Sequence, residues 1–221
     1  HAIHDTIDPT LSYRHSCASG QCGSCAVRVN DEPVLACMEE AKDKSTIGPL
    51  NLPVKKDLVT DLLPKLEEVA SFFPKKETVL VKKQDIDAIK PLRTCIECLC
   101  CLSVCPAVDV TTFLGPTAMR QEMRLALDPR DKGDRISDAV RDGLFTCTSC
   151  QACWKVCPKE IEIPGKAIEK LRARANKRGF TLPRHLEVAA LVRETGRSVP
   201  RTAESFLEKV GEVIEPEGPV K

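Results

Sequence analysis

Residues 95–106 read Cys95-Ile-Glu-Cys98-Leu-Cys100-Cys101-Leu-Ser-Val-Cys105-Pro106, and residues 147–158 read Cys147-Thr-Ser-Cys150-Gln-Ala-Cys153-Trp-Lys-Val-Cys157-Pro158. Each is C-x2-C-x2-C-x3-C-P, the run that holds cubane iron–sulfur clusters in bacterial ferredoxins. Where two such runs occur together, the fourth cysteine of each ligates the other cluster. The expected ligand sets are therefore Cys95, Cys98, Cys101 and Cys157 for one [4Fe–4S] cluster, and Cys147, Cys150, Cys153 and Cys105 for a second. Cys100 falls off the spacing and is expected to be a buried packing thiol.

A third set precedes these: Cys17-x4-Cys22-x2-Cys25, then Cys37 after eleven intervening residues. That is the plant-type [2Fe–2S] arrangement. Small residues and glycines in the loop, Cys17-Ala-Ser-Gly20-Gln-Cys22-Gly23-Ser24-Cys25, let the backbone curl so that N–H groups face the sulfurs. Ala26 to Val29 alternates like a strand, Asn30-Asp-Glu-Pro33 supplies a turn, and Val34 to Ala36 reads as a returning strand that carries Cys37. Structural zinc is the competing use of four cysteines, but it favours paired C-x2-C ligands, which the x4-x2 triplet fits poorly. A Rieske centre needs two histidines, and His15 has no second histidine near the other cysteines. About fifteen residues precede Cys17, fewer than the opening strands of a plant-type domain need, so either the segment is truncated at its start or the opening strands were lost or left unseen.

The totals agree with a redox protein in a reducing compartment. Thirteen cysteines is an odd count, and no signal peptide is visible in front of them. Thiols at metal-ligand spacing then point to the cytoplasm. A formal charge of +1 gives no electrostatic case for nucleic acid as a partner. No apolar run approaches the length that spans a bilayer.

Outside the cysteine runs the pattern is mostly helical. A helix is expected over 57–69, bent near Pro64, followed by a linker at Pro74–Thr78. A short helix at Asp85–Lys90 feeds the first cubane run. Helices follow from Gly115-Pro116 through Met119, Met123 and Leu127, and from Asp134 or Ser137 with Ile136, Ala139, Val140 and Leu144 on one face. Another opens at Pro164 and closes near Gly179 over Ala167, Ile168, Leu171 and Ala175. Its basic residues, Lys166, Lys170, Arg172, Arg174, Lys177 and Arg178, are read first as a solvated face and second as a surface for an acidic partner. Two further helices are expected, at 184–195 and 201–214, before a Pro/Gly tail at 215–219 that reads as a linker. The fold class is α+β: a plant-type [2Fe–2S] β-grasp domain over 1–75, then an α-helical ferredoxin domain with two cubane clusters over 76–221. No catalytic base, nucleophile or nucleotide loop stands out, so the residues support electron relay.

Leu11 to Cys17 and on to Cys37, Cys95 to Cys101, and Gly115-Pro-Thr-Ala through Asp128-Pro-Arg-Asp131 together resemble the iron–sulfur subunits of succinate dehydrogenases and fumarate reductases. The resemblance covers about residues 10–175. It implies a flavoprotein partner that interconverts fumarate and succinate at FAD. Quinone-linked members replace the second cysteine of the later run with an apolar residue, which gives a [3Fe–4S] cluster. Here that position is Cys150, favouring [4Fe–4S], with [3Fe–4S] as the alternative. Those members also carry tryptophan after the first C-P and histidine after the first cysteine of the later run. Here these places hold Ala107-Val-Asp109 and Thr148, and Trp154 reads as cluster packing. The pattern is more similar to the thiol-linked branch, the B subunits of methanogen thiol:fumarate reductases. In these a cysteine-rich domain like that of heterodisulfide reductase oxidises coenzyme M and coenzyme B thiols. The alternatives are a quinone-linked subunit, a relay in another flavoprotein or heterodisulfide reductase complex, and a zinc-stapled interaction module.

Overall fold

The computed structural model describes residues 2–40, 42–196 and 198. A short helix α1 (Ala2–Thr6) precedes strands β1 (Ala26–Val29), β2 (Glu32–Leu35), β3 (Ile47–Gly48), β4 (Val54–Lys56) and β5 (Val59–Thr60). Helices follow: α2 (Leu63–Glu67), α3 (Lys83–Arg93), α4 (Cys100–Ser103), α5 (Pro116–Ala126), α6 (Arg135–Arg141), α7 (Ala152–Lys155), α8 (Glu169–Lys177) and α9 (Pro183–Thr195). Small sheets followed by helices give the expected α+β order.

β1 and β2 form a hairpin whose two loop residues, Asn30 and Asp31, have φ of 49° and 66°. Left-handed geometry at both positions suits the natural twist of a two-residue hairpin, and Asn and Asp tolerate it. The returning strand therefore starts at Glu32, earlier than the sequence pattern placed it. β3 pairs antiparallel with the other edge of β1. Beyond the ladder, the Ala36 N–H donates to the Cys25 carbonyl at 3.0 Å. The hairpin thus delivers Cys25 and Cys37 to the same end of the sheet.

The helix expected over 57–69 does not form as one element. β4 and β5 instead pair antiparallel around a turn in which Asp57 takes φ of 47°. Its carboxylate accepts the Ser12 N–H at 2.7 Å. Cross-strand pairing claims Val59 and Thr60, both β-branched, and helix begins only at α2, with Pro64 in its first turn. Leu50, Leu99 and Leu102 then pack with Leu52, Leu62 and Leu66, so the sheets rest on α4.

The segment read as a linker is held at its start. Pro74 bridges to Asp131, the Lys75 N–H donates to the Arg130 carbonyl at 2.9 Å, and the Lys132 N–H donates to the Phe73 carbonyl at 2.9 Å. Asp131 accepts Arg135 at 2.7 and 2.9 Å and the Phe73 N–H at 2.8 Å, and Arg135 also donates to the Ser71 carbonyl at 2.6 Å. Both side chains are almost fully buried, 3 % and 1 % exposed. A buried pair of this kind costs about 3–5 kcal/mol when one partner is removed. It ties residues 71–75 to the helical body.

The main core lies between α5, α6 and α8. Met119, Met123, Ala139, Leu144, Leu171 and Ala175 are each 0 % exposed, so the methionines are core as their spacing suggested. Leu144 contributes from a 3-10 turn after α6 (Leu144–Thr146) rather than from the helix itself. The helix expected from Pro164 opens with a π-helical turn, Pro164–Ile168, before α8. Its basic residues are not simply a solvated face: Arg172 donates to loop carbonyls, Arg174 to the Ala126 carbonyl at 3.2 Å, and Arg178 to Asp134. The expected helix at 201–214 and the tail at 215–219 lie outside the described residues. Among the described residues no helix is long and apolar enough to cross a membrane.

Glu122, in α5, is 1 % exposed, and among the described residues neither of its carboxyl oxygens has a hydrogen-bond partner. Burial, with Asp142 and Asp138 nearby, pushes its carboxyl up from 4.5 to about 9. The folded state therefore binds this proton more tightly than the unfolded chain, and the group's contribution to stability falls as pH rises from 4.5 toward about 9. Glu122→Gln should flatten that decline, so that thermal unfolding of the variant changes less between about pH 5 and about pH 8 than that of the parent.

Candidate metal centres

Left-handed backbone is concentrated in the cysteine loops. In the first loop Ala18, Gly20 and Gly23 have φ of 52°, 67° and 72°. The result is a set of N–H groups aimed at sulfur. Gln21 and Cys22 each donate to Cys17 Sγ at 3.3 Å, Ser19 donates to the same sulfur at 3.5 Å, and Gly20 donates to Cys37 Sγ at 3.3 Å. The N–H groups of Ser19 and Gln21 lead in drawing the Cys17 thiol down to about 6. Cys22 is lowered as well, chiefly by Ser24. Cys25, buried under the hairpin, is raised by desolvation. His15 is a loop residue stacked on Tyr13 at 5.4 Å, as expected.

The two later loops repeat one geometry. Glu97 and Leu99 have φ of 54° and 61°, and Ser149 and Gln151 have φ of 57° and 63°. Each such residue without glycine costs about 1–2 kcal/mol, so the surrounding packing must hold it. The gain is again directed N–H groups: Glu97 to Cys95 Sγ and Ser149 to Cys147 Sγ, both at 3.4 Å. Leu99 and Gln151 are the N-caps of α4 and α7, and those two short helices pack against each other.

One cavity is lined by Cys95, Cys98, Cys101 and Cys157, closed by Ile96, Leu99, Ile161 and Ile163. The Ile161 N–H donates to Cys157 Sγ at 3.4 Å, and Cys101 Sγ lies 3.2 Å from Thr117 Oγ1. Burial raises Cys95 and Cys101, with the Arg120 guanidinium opposing it at Cys95. Around the second run, burial pushes Cys153 up to about 12, helped by the charges of Cys147, Cys105 and Cys150. Cys105 in turn feels Cys147 and Cys150. Among the described residues no three Cys, His, Asp or Glu side chains converge where a single ion could sit. Thiols spread around a cavity, with backbone N–H groups directed at Cys95 and Cys157 and a hydroxyl at Cys101, suit a polynuclear cluster of iron and sulfide.

Two features of the site were not legible in the cysteine spacing. The first is Thr117, from α5, against Cys101. The second is the contact between loops. A Cβ on Gly23 would lie 2.5 Å from the Ile96 carbonyl oxygen and 3.1 Å from Cys98 Cβ. Cys25, Leu35, Cys98 and Cys100 form one small buried cluster there, with Cys37, Ile96 and Val156 against it. Cys100 is 0 % exposed, a packing thiol at the join between the two loops. Lys159 adds a hydrogen bond to Gln21 Oε1 at 2.9 Å. Trp154, one residue after Cys153, is 42 % exposed. Gly23→Ala meets both a positive φ and a backbone oxygen, and should destabilise by about 2 kcal/mol or more. Thermal unfolding against the parent and Ser19→Ala, an exposed change in the same loop, measures it.

Residues 1–67 match the 2Fe-2S iron-sulfur cluster binding domain family, and residues 91–161 match the 4Fe-4S dicluster domain family. The chain is 42 % identical over 217 residues to a fumarate reductase (CoM/CoB) subunit of Methanothermobacter marburgensis, covering 95 % of this chain and 44 % of that protein. It is 35 % identical over 193 residues to the fumarate reductase iron-sulfur subunit of Mycobacterium tuberculosis, covering 78 % of this chain and 77 % of that protein. Among solved structures, a chain of the Mycobacterium smegmatis Sdh1 complex in the apo form superposes with a TM-score of 0.73 at 31 % identity, covering 80 % of this chain and 82 % of that one. The chain spans less than half the length of the methanogen relatives it matches. Its two cluster-binding domains in this order, and its identity over most of the length of shorter relatives, place the chain in the fumarate reductase/succinate dehydrogenase iron–sulfur subunit family.

Proposed function

We propose that this chain carries single electrons between a FAD-containing subunit, where fumarate and succinate interconvert, and a second redox site. In this reading residues 1–75 form the [2Fe–2S] domain and residues 76–221 the two-cubane domain. Cys17, Cys22, Cys25 and Cys37 hold the [2Fe–2S] cluster. Cys95, Cys98, Cys101 and Cys157 hold one [4Fe–4S] cluster, and Cys147, Cys150, Cys153 and Cys105 the other. The observation that carries the reading is the cavity in which Cys157 joins three cysteines of the earlier run. Clusters of this kind supply one-electron chemistry with little rearrangement, at potentials set by hydrogen bonds to sulfur, burial and nearby charge. The residues of this chain supply those influences: N–H groups at Cys17, Cys37, Cys95, Cys147 and Cys157, and a largely apolar enclosure.

The second redox site is best read as one that oxidises the thiols of coenzyme M and coenzyme B. The name of the 42 % identical methanogen relative supports it, as does a cysteine at position 150. A cysteine-rich, heterodisulfide-reductase-like domain or subunit is the partner this reading requires, in the cytoplasm beside the flavoprotein.

Visible absorbance of the intact complex, purified anaerobically with its flavoprotein subunit, tests this. Adding both thiols should bleach the iron–sulfur bands, and fumarate should then restore them. Bands that dithionite bleaches but that respond to neither thiols nor fumarate would overturn the reading. A response to a quinol in place of thiols would overturn its thiol half.

A further inference from the structure

The two cubane runs repeat with an offset of 52 residues, Cys95 to Cys147 through Cys105 to Cys157. The repeat continues past the cysteines. Arg120 in α5 and Arg172 in α8 each stand twenty-five residues after the first cysteine of their run. Arg120 donates to the carbonyl of Leu92 at 3.4 Å, and Arg172 donates twice to the carbonyl of Leu144 at 3.3 Å; both carbonyls lie three residues before that cysteine. Each guanidinium also meets the side chain two residues after it: Arg120 lies 3.7 Å from Glu97 Oε1, and Arg172 donates to Ser149 Oγ at 2.8 Å. Neither arginine is explained by the cysteine motif.

The two copies differ in charge. Arg120 is 2 % exposed, and its Nη2 lies 3.7 Å from the Glu97 carboxylate, an ion pair without a hydrogen bond that offsets part of its charge. Arg172 is met by neutral acceptors: the Leu144 and Cys147 carbonyls, the latter at 2.6 Å, and the Ser149 hydroxyl. A cation beside a cluster favours the form with one more electron, and a carboxylate beside that cation cancels much of the effect.

Resting on the cluster assignment above, we infer that Arg120 and Arg172 are equivalent positioning residues, one at each cubane loop. The residue two places after the first cysteine sets each cluster's relative potential by deciding whether the guanidinium's charge is offset. Glu97 offsets it at the first site, and Ser149 leaves it standing at the second, which is thereby biased toward its reduced form.

Glu97 and Ser149 are exposed and share the same left-handed backbone, so each can carry the other's side chain without disturbing the core. An EPR-monitored redox titration of the holoprotein reads the outcome. Ser149→Glu should lower the midpoint of the second cluster and Glu97→Ser should raise that of the first. Each shift should be about three- to tenfold in the one-electron equilibrium, or roughly 30 to 59 mV, with the other cluster unmoved. Arg172→Lys keeps the charge and loses the fork: it should lower the unfolding temperature while moving the second midpoint less than Ser149→Glu does. Unmoved midpoints in both loop variants, with cluster signals intact, would overturn the inference. Parent protein without cubane signals would overturn the cluster assignment and the inference with it.

Discussion

Three thiols from one stretch of chain share a cavity with a fourth from more than fifty residues later. That requirement organises the helical part of the protein. Cys157 reaches Cys95, Cys98 and Cys101 only if α4 and α7 lie side by side, which requires α5 and α6, between the runs, to fold back against α8, which follows them. The core of Met119, Met123, Leu144, Leu171 and Ala175 is what makes that return path rigid. Left-handed backbone at Glu97, Leu99, Ser149 and Gln151 is tolerated because the same packing fixes the loops from both sides. Local strain and long-range packing are thus two halves of one arrangement.

The sheet part obeys a second constraint, close approach. Gly23 has no room for a side chain because the Ile96 carbonyl and Cys98 are against it. Cys100 fills the same join, beside Cys25 and Cys98. In an electron carrier the distance between centres matters more than any single contact. A glycine and a small buried thiol are the residue types that keep it short.

Much of this was legible in the sequence, and the rest was hidden for physical reasons. The two runs, with the rule that the fourth cysteine of each serves the other cluster, grouped Cys157 with Cys95, Cys98 and Cys101, and these four line one cavity. Met119 and Met123 read as core because a helix repeats every three to four residues. The helix expected over 57–69 was lost to pairing between β4 and β5, a contact that apolar periodicity does not encode. Residues 74–75 looked like linker, yet Asp131 and Arg135 hold the segment leading into them, and an acid and a base four apart in a helical stretch signal nothing about a partner sixty residues away. The arginine pair could have been found by aligning the two runs past their cysteines. Its meaning required seeing which acceptors each guanidinium meets.

Centrally, we propose that twelve thiols hold three clusters, and that Cys150 lets the later run keep its fourth iron. Iron, acid-labile sulfide and zinc counted per chain in anaerobically isolated protein test this most directly. Two, four and four irons predict about ten iron with matching sulfide and no stoichiometric zinc. About nine iron, with the EPR signal of an oxidised three-iron cluster in the undamaged protein, would contradict the role given to Cys150. Stoichiometric zinc in place of iron would contradict the electron-relay reading as a whole.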